Sequence, residues 1–197
     1  MGSQFKEIEH KYIVPEGFSR ADFIKKIKVL NPKKTSELQV TDVYFILNAN
    51  RDFVYRYRAD HEIEQLTAKS VGGSLQVRRE INLNLRLAGS LGQEDAVNAF
   101  LETLGVYWSH RLTKDLMVAY FDDCEIVHYR AVCGDRRVEC IEFEAIGDFS
   151  SDQEAFAVLS RYEALLGFQN KLKGDKSLFE LLLLPDAPKD VINMFKR

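Results

Sequence analysis

The chain of 197 residues has 27 Lys and Arg against 30 Asp and Glu, so its formal net charge is −3. This balance argues against a protein that binds DNA through bulk positive charge. Hydrophobic residues make up 46% of the chain and charged residues 29%, which is typical of a folded soluble protein and not of a disordered one. The length fits a single domain over residues 1–197 with a substantial core.

The cysteines and the apolar runs indicate the compartment. Cys124, Cys133 and Cys140 form no C-x-x-C pair, so we expect neither a disulfide framework nor a structural zinc site. Reduced thiols fit a cytoplasmic protein. The longest apolar run, Leu181 to Leu184, is too short to cross a membrane, and the first residues lack the apolar region of a signal peptide. We therefore expect a cytoplasmic protein with no membrane anchor.

The first predicted element is a strand with a charged face. Over residues 7–12, charged side chains alternate with uncharged ones, and a strand places successive side chains on opposite faces. Glu7, Glu9 and Lys11 therefore share one face. On alternation alone, such charges more often mark the solvated side of an ordinary antiparallel strand.

Seven further segments are rich in β-favouring residues or alternate in polarity, and turn residues separate them. They are residues 38–47, 53–59, 64–70, 75–87, 106–120, 124–132 and 138–146. The turn Gly72-Gly73 precedes the segment 75–87. Capping signals and apolar spacing predict helices over residues 19–30, 93–104 and 151–166, with one or two short helices after Asp175. This order predicts an antiparallel α+β domain.

The charged faces of the strands are segregated by sign. The basic set is Arg56, Arg58, Lys69, Arg78, Arg111 and Lys114, and the acidic set is Glu7, Glu9, Glu80, Glu142 and Glu144. In a half-buried sheet these charges would face water, whereas in a closed barrel they would line the lumen beneath outer helices. The segregation favours the barrel, but the polarity pattern fits both arrangements.

The two charged sets together indicate a chemistry. Converging Arg and Lys side chains neutralise a polyphosphate, and clustered carboxylates hold hard divalent cations that bridge to the same phosphates. The sequence contains no G-x-x-x-x-G-K-[ST] loop and no protein-kinase signature. A phosphoryl- or nucleotidyl-transfer site of another kind is therefore indicated.

Seven motifs in order resemble the CYTH superfamily, the triphosphate tunnel metalloenzymes. They are E-x-E-x-K at Glu7, Glu9 and Lys11, then Asp42-Val43-Tyr44-Phe45, R-x-R at Arg56 and Arg58, L-T-x-K at 66–69, R-x-E at Arg78 and Glu80, the pair Glu142 and Glu144, and Lys176-Ser177. The resemblance spans nearly the whole chain. E-x-E-x-K alone is a loose pattern, but seven elements in the expected order are specific.

The resemblance implies an α+β fold: a closed eight-stranded antiparallel β-barrel, or tunnel, with helices packed on the outside. It also implies a small-molecule triphosphate substrate and Mg²⁺ or Mn²⁺ as cofactor. On the matched positions, Lys11, Arg56, Arg58, Lys69 and Arg78 would hold the phosphates, and Arg111, Lys114 and Lys176 are further candidates for binding substrate. Glu7, Glu9, Glu142 and Glu144 would hold metal, and Glu9, Lys11 and Glu80 are the candidate catalytic residues. Members are often homodimers, but no segment of this sequence identifies an interface.

The sequence departs from the family pattern at three places, one of which is Leu178, which follows Ser177 where Tyr is usual. Arg111 and Lys114 stand where K-x-R is usual, and their odd spacing puts them on opposite faces of a regular strand unless a bulge intervenes. Asn82 stands where a further acid is common. These departures leave the metal stoichiometry and the substrate open.

Three functions remain as hypotheses. The first is metal-dependent hydrolysis of a triphosphate, with inorganic triphosphate as the plainest substrate and organic triphosphates as alternatives. The second is a class IV adenylyl cyclase, which converts ATP to cyclic AMP and pyrophosphate, and which residues 42–45 resemble. The third is a triphosphate- or polyphosphate-binding module without turnover.

Overall fold

A computed structural model of the chain describes residues 5–72, 74, 76–85 and 92–196. Within these residues eight strands form one closed barrel. They are β1 (Lys6–Ile13), β2 (Lys34–Leu47), β3 (Phe53–Ala59), β4 (Glu64–Ser70), β5 (Val77–Asn84), β6 (Val106–Tyr120), β7 (Cys124–Cys133) and β8 (Arg136–Ala145). The order around the barrel is β1-β5-β4-β3-β2-β6-β7-β8, and neighbours are antiparallel. The predicted closed eight-stranded barrel is confirmed.

Several strand boundaries differ from the prediction by one to three residues, and the largest difference is at the start of β2. β2 begins at Lys34, four residues earlier than predicted, because residues 34–37 continue the ladder with β6 as far as Tyr120. This pairing joins segments distant in sequence, so a local pattern does not reveal it. Gly73 of the predicted turn and Leu75, Arg86 and Leu87 of the predicted strand lie outside the described residues.

In the described part of the chain four α-helices accompany the barrel: α1 (Arg20–Val29), α2 (Glu94–Thr103), α3 (Asp152–Leu166) and α4 (Lys189–Met194). The predicted serine caps are confirmed, because Ser19 Oγ accepts a hydrogen bond from Asp22 N at 3.2 Å and Ser151 Oγ accepts one from Glu154 N at 3.3 Å. α3 ends at Gly167, whose φ of 82° lies in the left-handed region that glycine favours. None of the helices described is long and apolar enough to cross a membrane.

The outer face of the barrel is apolar and is covered by the helices. α1 and α3 pack against β1, β7 and β8, where Phe143 and Ile141 are fully buried. α2 packs against β2 and β3 on the other side, with Leu101 contributing to a cluster that contains Tyr57. Because strand side chains alternate, this packing directs the charged faces inward.

One end of the barrel is covered by the chain's last residues. A π-helical turn (Phe179–Leu183), a 3-10 turn (Leu184–Asp186) and α4 pack as one apolar cluster against the strand ends. Arg136 Nε, at the start of β8, donates to the Leu182 carbonyl at 2.8 Å. We call residues 177–195 the C-terminal cap.

Candidate functional site

A cavity of about 380 Å³ occupies the lumen, and side chains from all eight strands line it. Its ionisable lining residues are Glu7, Glu9, Lys11, Tyr44, Arg56, Arg58, Asp60, Lys69, Arg78, Glu80, Lys114, Tyr120, Glu125, Tyr129, Glu142 and Glu144. Charges that would cost several kcal/mol if buried alone are brought together here, so they must pair with one another or with a ligand.

Arg78 connects the first two carboxylates of the lumen. Its Nη2 donates to Glu7 Oε2 at 2.8 Å and to Glu9 Oε1 at 2.6 Å. Lys69 Nζ also donates to Glu7 Oε1, at 2.7 Å. Burial alone would raise the pKa of Glu7, but Lys69 and Arg78 outweigh it and hold the pKa well below its ordinary value.

Glu9 differs from Glu7 although both contact Arg78. Burial and the neighbouring charge of Glu7 raise the pKa of Glu9 to about 7. A carboxyl group with a pKa in this range can accept or release a proton near neutral pH. Glu9 can therefore change its protonation state near neutral pH.

Lys11 pairs with the opposite strand. Lys11 and Glu142 are register partners between β1 and β8, and Lys11 Nζ lies 3.0 Å from Glu142 Oε1 and 3.6 Å from Glu9 Oε1. Glu142 Oε1 also accepts a hydrogen bond from Tyr129 OH at 2.8 Å. Burial lowers the pKa of Lys11, but Glu142 and Glu9 raise it by more, so the ammonium remains charged.

On the opposite side of the lumen, Asp42 holds two cations. Its carboxylate is fully buried and accepts from Arg58 Nε at 2.7 Å and Arg58 Nη2 at 2.9 Å. Lys114 Nζ lies 2.7 Å from Asp42 Oδ2. Burial and the positive charge of Arg58 nevertheless lower the pKa of Lys114 to about 7, because one carboxylate is shared between two cations.

Arg56 is a buried cation with unused hydrogen-bonding capacity. Its Nη2 donates to Thr67 Oγ1 at 3.2 Å, but its Nε is buried with no hydrogen-bond partner within the described residues. No carboxylate of the described residues lies within ion-pair distance of Arg56. An anionic ligand in the lumen would supply the missing partner.

Glu144 is the opposite case: a carboxylate that has no cationic partner among the described residues. It lies between Glu9 and Glu125 as register partner of both, and no cation within the described ranges forms an ion pair with it. Burial and the charges of Glu7, Glu80 and Glu9 raise the pKa of Glu144 well above its ordinary value. A bound cation would relieve this repulsion.

The acidic residues fit Mg²⁺ or Mn²⁺ as a donor set, because both cations prefer carboxylate oxygens. Glu7, Glu9 and Glu142 each already contact a Lys or Arg, so a divalent cation would take the place of one of those contacts. Glu144 is the predicted ligand that is free of such a contact in the described part of the chain.

Comparison with known proteins identifies the fold. Neither a protein-family model nor a curated protein matches the sequence. The solved structure of the PH1012 protein from Pyrococcus horikoshii is similar over 89% of this chain and 99% of that one, with a TM-score of 0.69 and 19% identity. A Vibrio parahaemolyticus protein proposed to be an adenylate cyclase is similar over 90% and 97%, with a TM-score of 0.62 and 14% identity. The chain has a CYTH-type tunnel fold.

The same fold also occurs in another context. A chain in the structure of the Schizosaccharomyces pombe Mediator head module is similar over 85% of this chain and 98% of that one, with a TM-score of 0.61 and 15% identity. At such identities the likeness concerns the fold, and function must be argued from the side chains in the tunnel.

Most of the predicted site residues lie in the CYTH-type tunnel, but Arg111 does not. β6 pairs regularly with β2 through this region, with Arg111 opposite Val43 and Lys114 opposite Val40, so no bulge brings the two side chains to one face. Lys114 points into the lumen, whereas Arg111 is exposed and pairs with Glu94 of α2. The assignment of Arg111 to the substrate site is corrected.

Lys176 lies beside the tunnel rather than inside it. Its side chain is exposed and borders a small hollow together with Glu9 and Lys11. The backbone nearby is held in place, because Gly174 N donates to the Lys11 carbonyl at 2.7 Å.

The sequence analysis missed an apolar wall inside the tunnel. β2, β6 and β7 contribute Leu38, Val40, Leu116, Val118 and Val127 to the lining. The alternation that gives Val40, Asp42 and Tyr44 a shared face was present in the sequence. Apolar residues on both faces of these strands concealed it.

Proposed function

We propose that this protein hydrolyses a triphosphate in its lumen with the help of a divalent cation. The observation that carries the proposal is Arg56, a buried guanidinium that lacks a carboxylate partner in the described structure and faces a cavity lined by five further cations. A buried cation of this kind is costly unless an anion completes it. A chain of phosphates supplies several anionic oxygens within one cavity.

The protein's own residues would divide the work by position. Arg56, Arg58 and Lys114 lie on one side of the cavity, and Lys69 and Arg78 lie near Glu7. Bound phosphates would compete with Asp42 and Glu7 for these cations, so the existing ion pairs keep the cations in place before the ligand arrives.

Proton transfer would fall to the carboxylates of β1 and β5. Glu9, with its pKa raised to about 7, is suited to accept a proton from the attacking water. Glu80 Oε1 accepts from Asn82 Nδ2 at 2.8 Å, which orients its carboxylate, and Lys11 balances the charge of Glu9. Glu7, Glu9, Glu142 and Glu144 would hold Mg²⁺ or Mn²⁺, which supplies charge neutralisation and Lewis-acid polarisation of phosphoryl oxygens when bound.

The apolar wall favours an organic triphosphate over inorganic triphosphate. Inorganic triphosphate presents charged oxygens alone, so it would make no apolar contact with the parts of Leu38, Leu116 and Val118 that line the cavity. A substrate with an apolar or aromatic group could bury that group on the wall while its phosphates met the cations. This differs from the sequence-based expectation, in which inorganic triphosphate was the plainest substrate.

The same wall keeps adenylyl cyclase activity as the second candidate, because a nucleoside would also fit against it. The similar Vibrio parahaemolyticus protein has been proposed to be an adenylate cyclase. The two activities differ in their products: a hydrolase releases orthophosphate, whereas a cyclase releases cyclic AMP and pyrophosphate.

Product analysis separates these functions. The protein is incubated with Mg²⁺ or Mn²⁺ and, separately, inorganic triphosphate, ATP and thiamine triphosphate, and the products are quantified. We expect orthophosphate, with higher kcat/KM for an organic substrate. Arg56→Gln should lower kcat/KM by about 100-fold or more, since a charged hydrogen-bond donor to the phosphates is lost. Arg111→Gln is the matched control and should retain activity.

Other outcomes have definite meanings. Formation of cyclic AMP from ATP would refute the hydrolase function and support the cyclase function. Metal-dependent binding without any product would support the third candidate, a binding module, and would refute hydrolysis of these substrates. Turnover that survives Glu9→Gln unchanged would refute the role of Glu9.

A further inference from the structure

A second group of metal-ligating side chains lies outside the tunnel site. His110 of β6, Cys133 at the end of β7 and Asp186 of the C-terminal cap place one donor atom each within 4.8 Å of one another. His110 Nε2 lies 3.4 Å from Cys133 Sγ and 3.7 Å from Asp186 Oδ2. None of the three lines the lumen cavity.

Two of the three donor separations match the edges of a zinc coordination tetrahedron, and the third, between Cys133 and Asp186, is within 4.8 Å. Zinc binds sulfur at about 2.3 Å and nitrogen or oxygen at about 2.0–2.2 Å, which places tetrahedral sulfur and nitrogen ligands about 3.5 Å apart and nitrogen and oxygen ligands about 3.3–3.5 Å apart. The observed separations of 3.4 and 3.7 Å are close to these values. Little movement is needed for three donors to meet one ion.

We propose that His110, Cys133 and Asp186 form a zinc site that joins the C-terminal cap to the barrel. The mixed sulfur, nitrogen and oxygen donors suit Zn²⁺ and not Mg²⁺, which prefers oxygen donors alone. Three protein ligands leave the fourth tetrahedral position for water. On binding, the Cys133 S–H bond breaks, the sulfur donates to the ion, and the proton passes to solvent.

The surroundings of the site support the assignment. Arg136 Nη1 donates to Asp186 Oδ1 at 3.0 Å, and Arg136 Nη2 also contacts Asp186 Oδ2, so the carboxylate is oriented as ligating carboxylates commonly are. His110 and Asp186 are half-exposed whereas Cys133 is buried, so an ion can approach from solvent and reach the sulfur. Arg136 adds a positive charge, which the thiolate and carboxylate together outweigh.

The consequence of the site would be mechanical. Asp186 belongs to the cap, whereas His110 and Cys133 belong to strands of the barrel. A zinc ion would therefore link the C-terminal cap to the barrel end that it covers. Binding to the folded state alone would stabilise the protein by mass action.

Cobalt substitution tests the site. Protein stripped with a chelator is titrated with Co²⁺ in excess Mg²⁺, which occupies oxygen-only sites. We expect a thiolate-to-cobalt charge-transfer band that appears with one equivalent and that Zn²⁺ abolishes. Cys133→Ser should remove the band, and His110→Gln should weaken Co²⁺ affinity by at least about tenfold. Cys140→Ser is the matched control, because Cys140 is another buried free cysteine and should leave the band unchanged.

A second readout covers the case in which Cys133→Ser fails to fold. His110→Gln retains the thiol and alters a half-exposed side chain, so the folded protein should remain available. Zn²⁺ should raise Tm in the wild type and by much less in His110→Gln. The absence of a thiolate band in the wild type, its persistence in Cys133→Ser, or equal Zn²⁺ shifts in wild type and His110→Gln would each refute the site.

Discussion

The Tyr12 hydroxyl donates to Glu163 Oε1 at 2.6 Å across the interface between β1 and α3. His10 Nδ1 donates to the same oxygen at 2.5 Å. These two side chains point outward from β1, so their neighbours Glu9 and Lys11 point into the tunnel. A helix on the outside thus fixes the register of the strand that carries the first charged residues of the site.

Glu163→Gln should destabilise the fold by about 1–3 kcal/mol, because two buried donors lose a charged acceptor. Burial raises the pKa of Glu163, but hydrogen bonds from His10 and Tyr12 lower it overall. The stabilisation is therefore present above the unfolded-state pKa and is lost as the pH falls through the lower folded-state value. Urea denaturation from pH 7 down to pH 3 should show the wild type approaching the variant.

Tyr12→Phe is the control for this prediction. It removes one hydrogen bond and leaves the His10 contact, so its loss should be smaller, about 0.5–1.5 kcal/mol. A gap between wild type and Glu163→Gln that does not narrow in acid would contradict the charged role of Glu163.

Asp42→Asn should destabilise the free protein and increase its response to ligand. Arg58 and Lys114 would lose their shared counter-ion in a buried location, which costs about 3–5 kcal/mol when one partner of a buried pair is removed. A triphosphate would replace the missing negative charge. Thermal melts should show a lower Tm without ligand and a larger ligand-induced rise than in the wild type.

A ligand-induced rise in Tm no larger than in the wild type would show that phosphates do not approach Arg58 and Lys114. The exposed pair Lys25 and Asp22 provides a comparison, since Asp22→Asn should leave both the Tm of the free protein and the ligand-induced rise in Tm close to those of the wild type.

The affinity for triphosphate should fall as the pH rises through 7. Burial and Arg58 lower the pKa of Lys114 to about 7, so this ammonium loses its charge between about pH 6 and pH 8. Lys114→Arg keeps the positive charge throughout this range. Calorimetric titration should show that the affinity for triphosphate depends less on pH in Lys114→Arg than in the wild type. Ionisation of the ligand affects both proteins equally and does not contribute to this difference.

Lys114 also affects the stability of the free protein. Because its folded-state pKa is depressed, the unfolded chain binds more protons between pH 7 and the ordinary lysine value. Its contribution to stability should therefore rise with pH across this window. Identical pH profiles for binding to wild type and Lys114→Arg would contradict the depressed pKa.

Glu144→Gln should stabilise the metal-free protein and weaken its binding of Mg²⁺ or Mn²⁺. The raised pKa of Glu144 arises from burial and from Glu7, Glu80 and Glu9, so its ionised form is unfavourable in the fold. At pH values above the unfolded-state pKa of this carboxyl group, removing the charge relieves the repulsion in the metal-free fold. The same substitution removes a predicted metal ligand. We expect a higher Tm in chelator and at least about tenfold lower affinity for the cation.

Glu125→Gln is the comparison for Glu144→Gln, because Glu125 lines the same tunnel but was not predicted as a ligand. It should change metal affinity less. Equal metal affinities for wild type and Glu144→Gln would exclude Glu144 from the metal site.

The strands and helices could be predicted from the sequence because charge alternation and helix caps are local properties. Glu7, Glu9 and Lys11 could be placed on one face from spacing alone. The inward direction of that face depended on closure of the sheet, which spacing does not determine, and the resemblance to a known family supplied it. Arg111 was misassigned because a motif position does not reveal whether a strand is regular or bulged.

Contacts between distant segments could not be predicted. His110, Cys133 and Asp186 are separated by 23 and 53 residues, so no metal-binding spacing appears in the chain. The ion pair between Asp42 and Arg58 and the hydrogen bond between Tyr12 and Glu163 likewise depend on packing between elements. Such contacts are set by tertiary structure and leave little trace in local periodicity.

The C-terminal cap restricts how a ligand enters and leaves the cavity. Because residues 177–195 cover one end of the barrel, a ligand of the proposed kind would arrive and depart through the opposite end, near Tyr120 and Glu125. The phosphates would enter first and the apolar group would follow. The product that remained in the cavity would therefore block the next substrate, so we expect product inhibition of the competitive type.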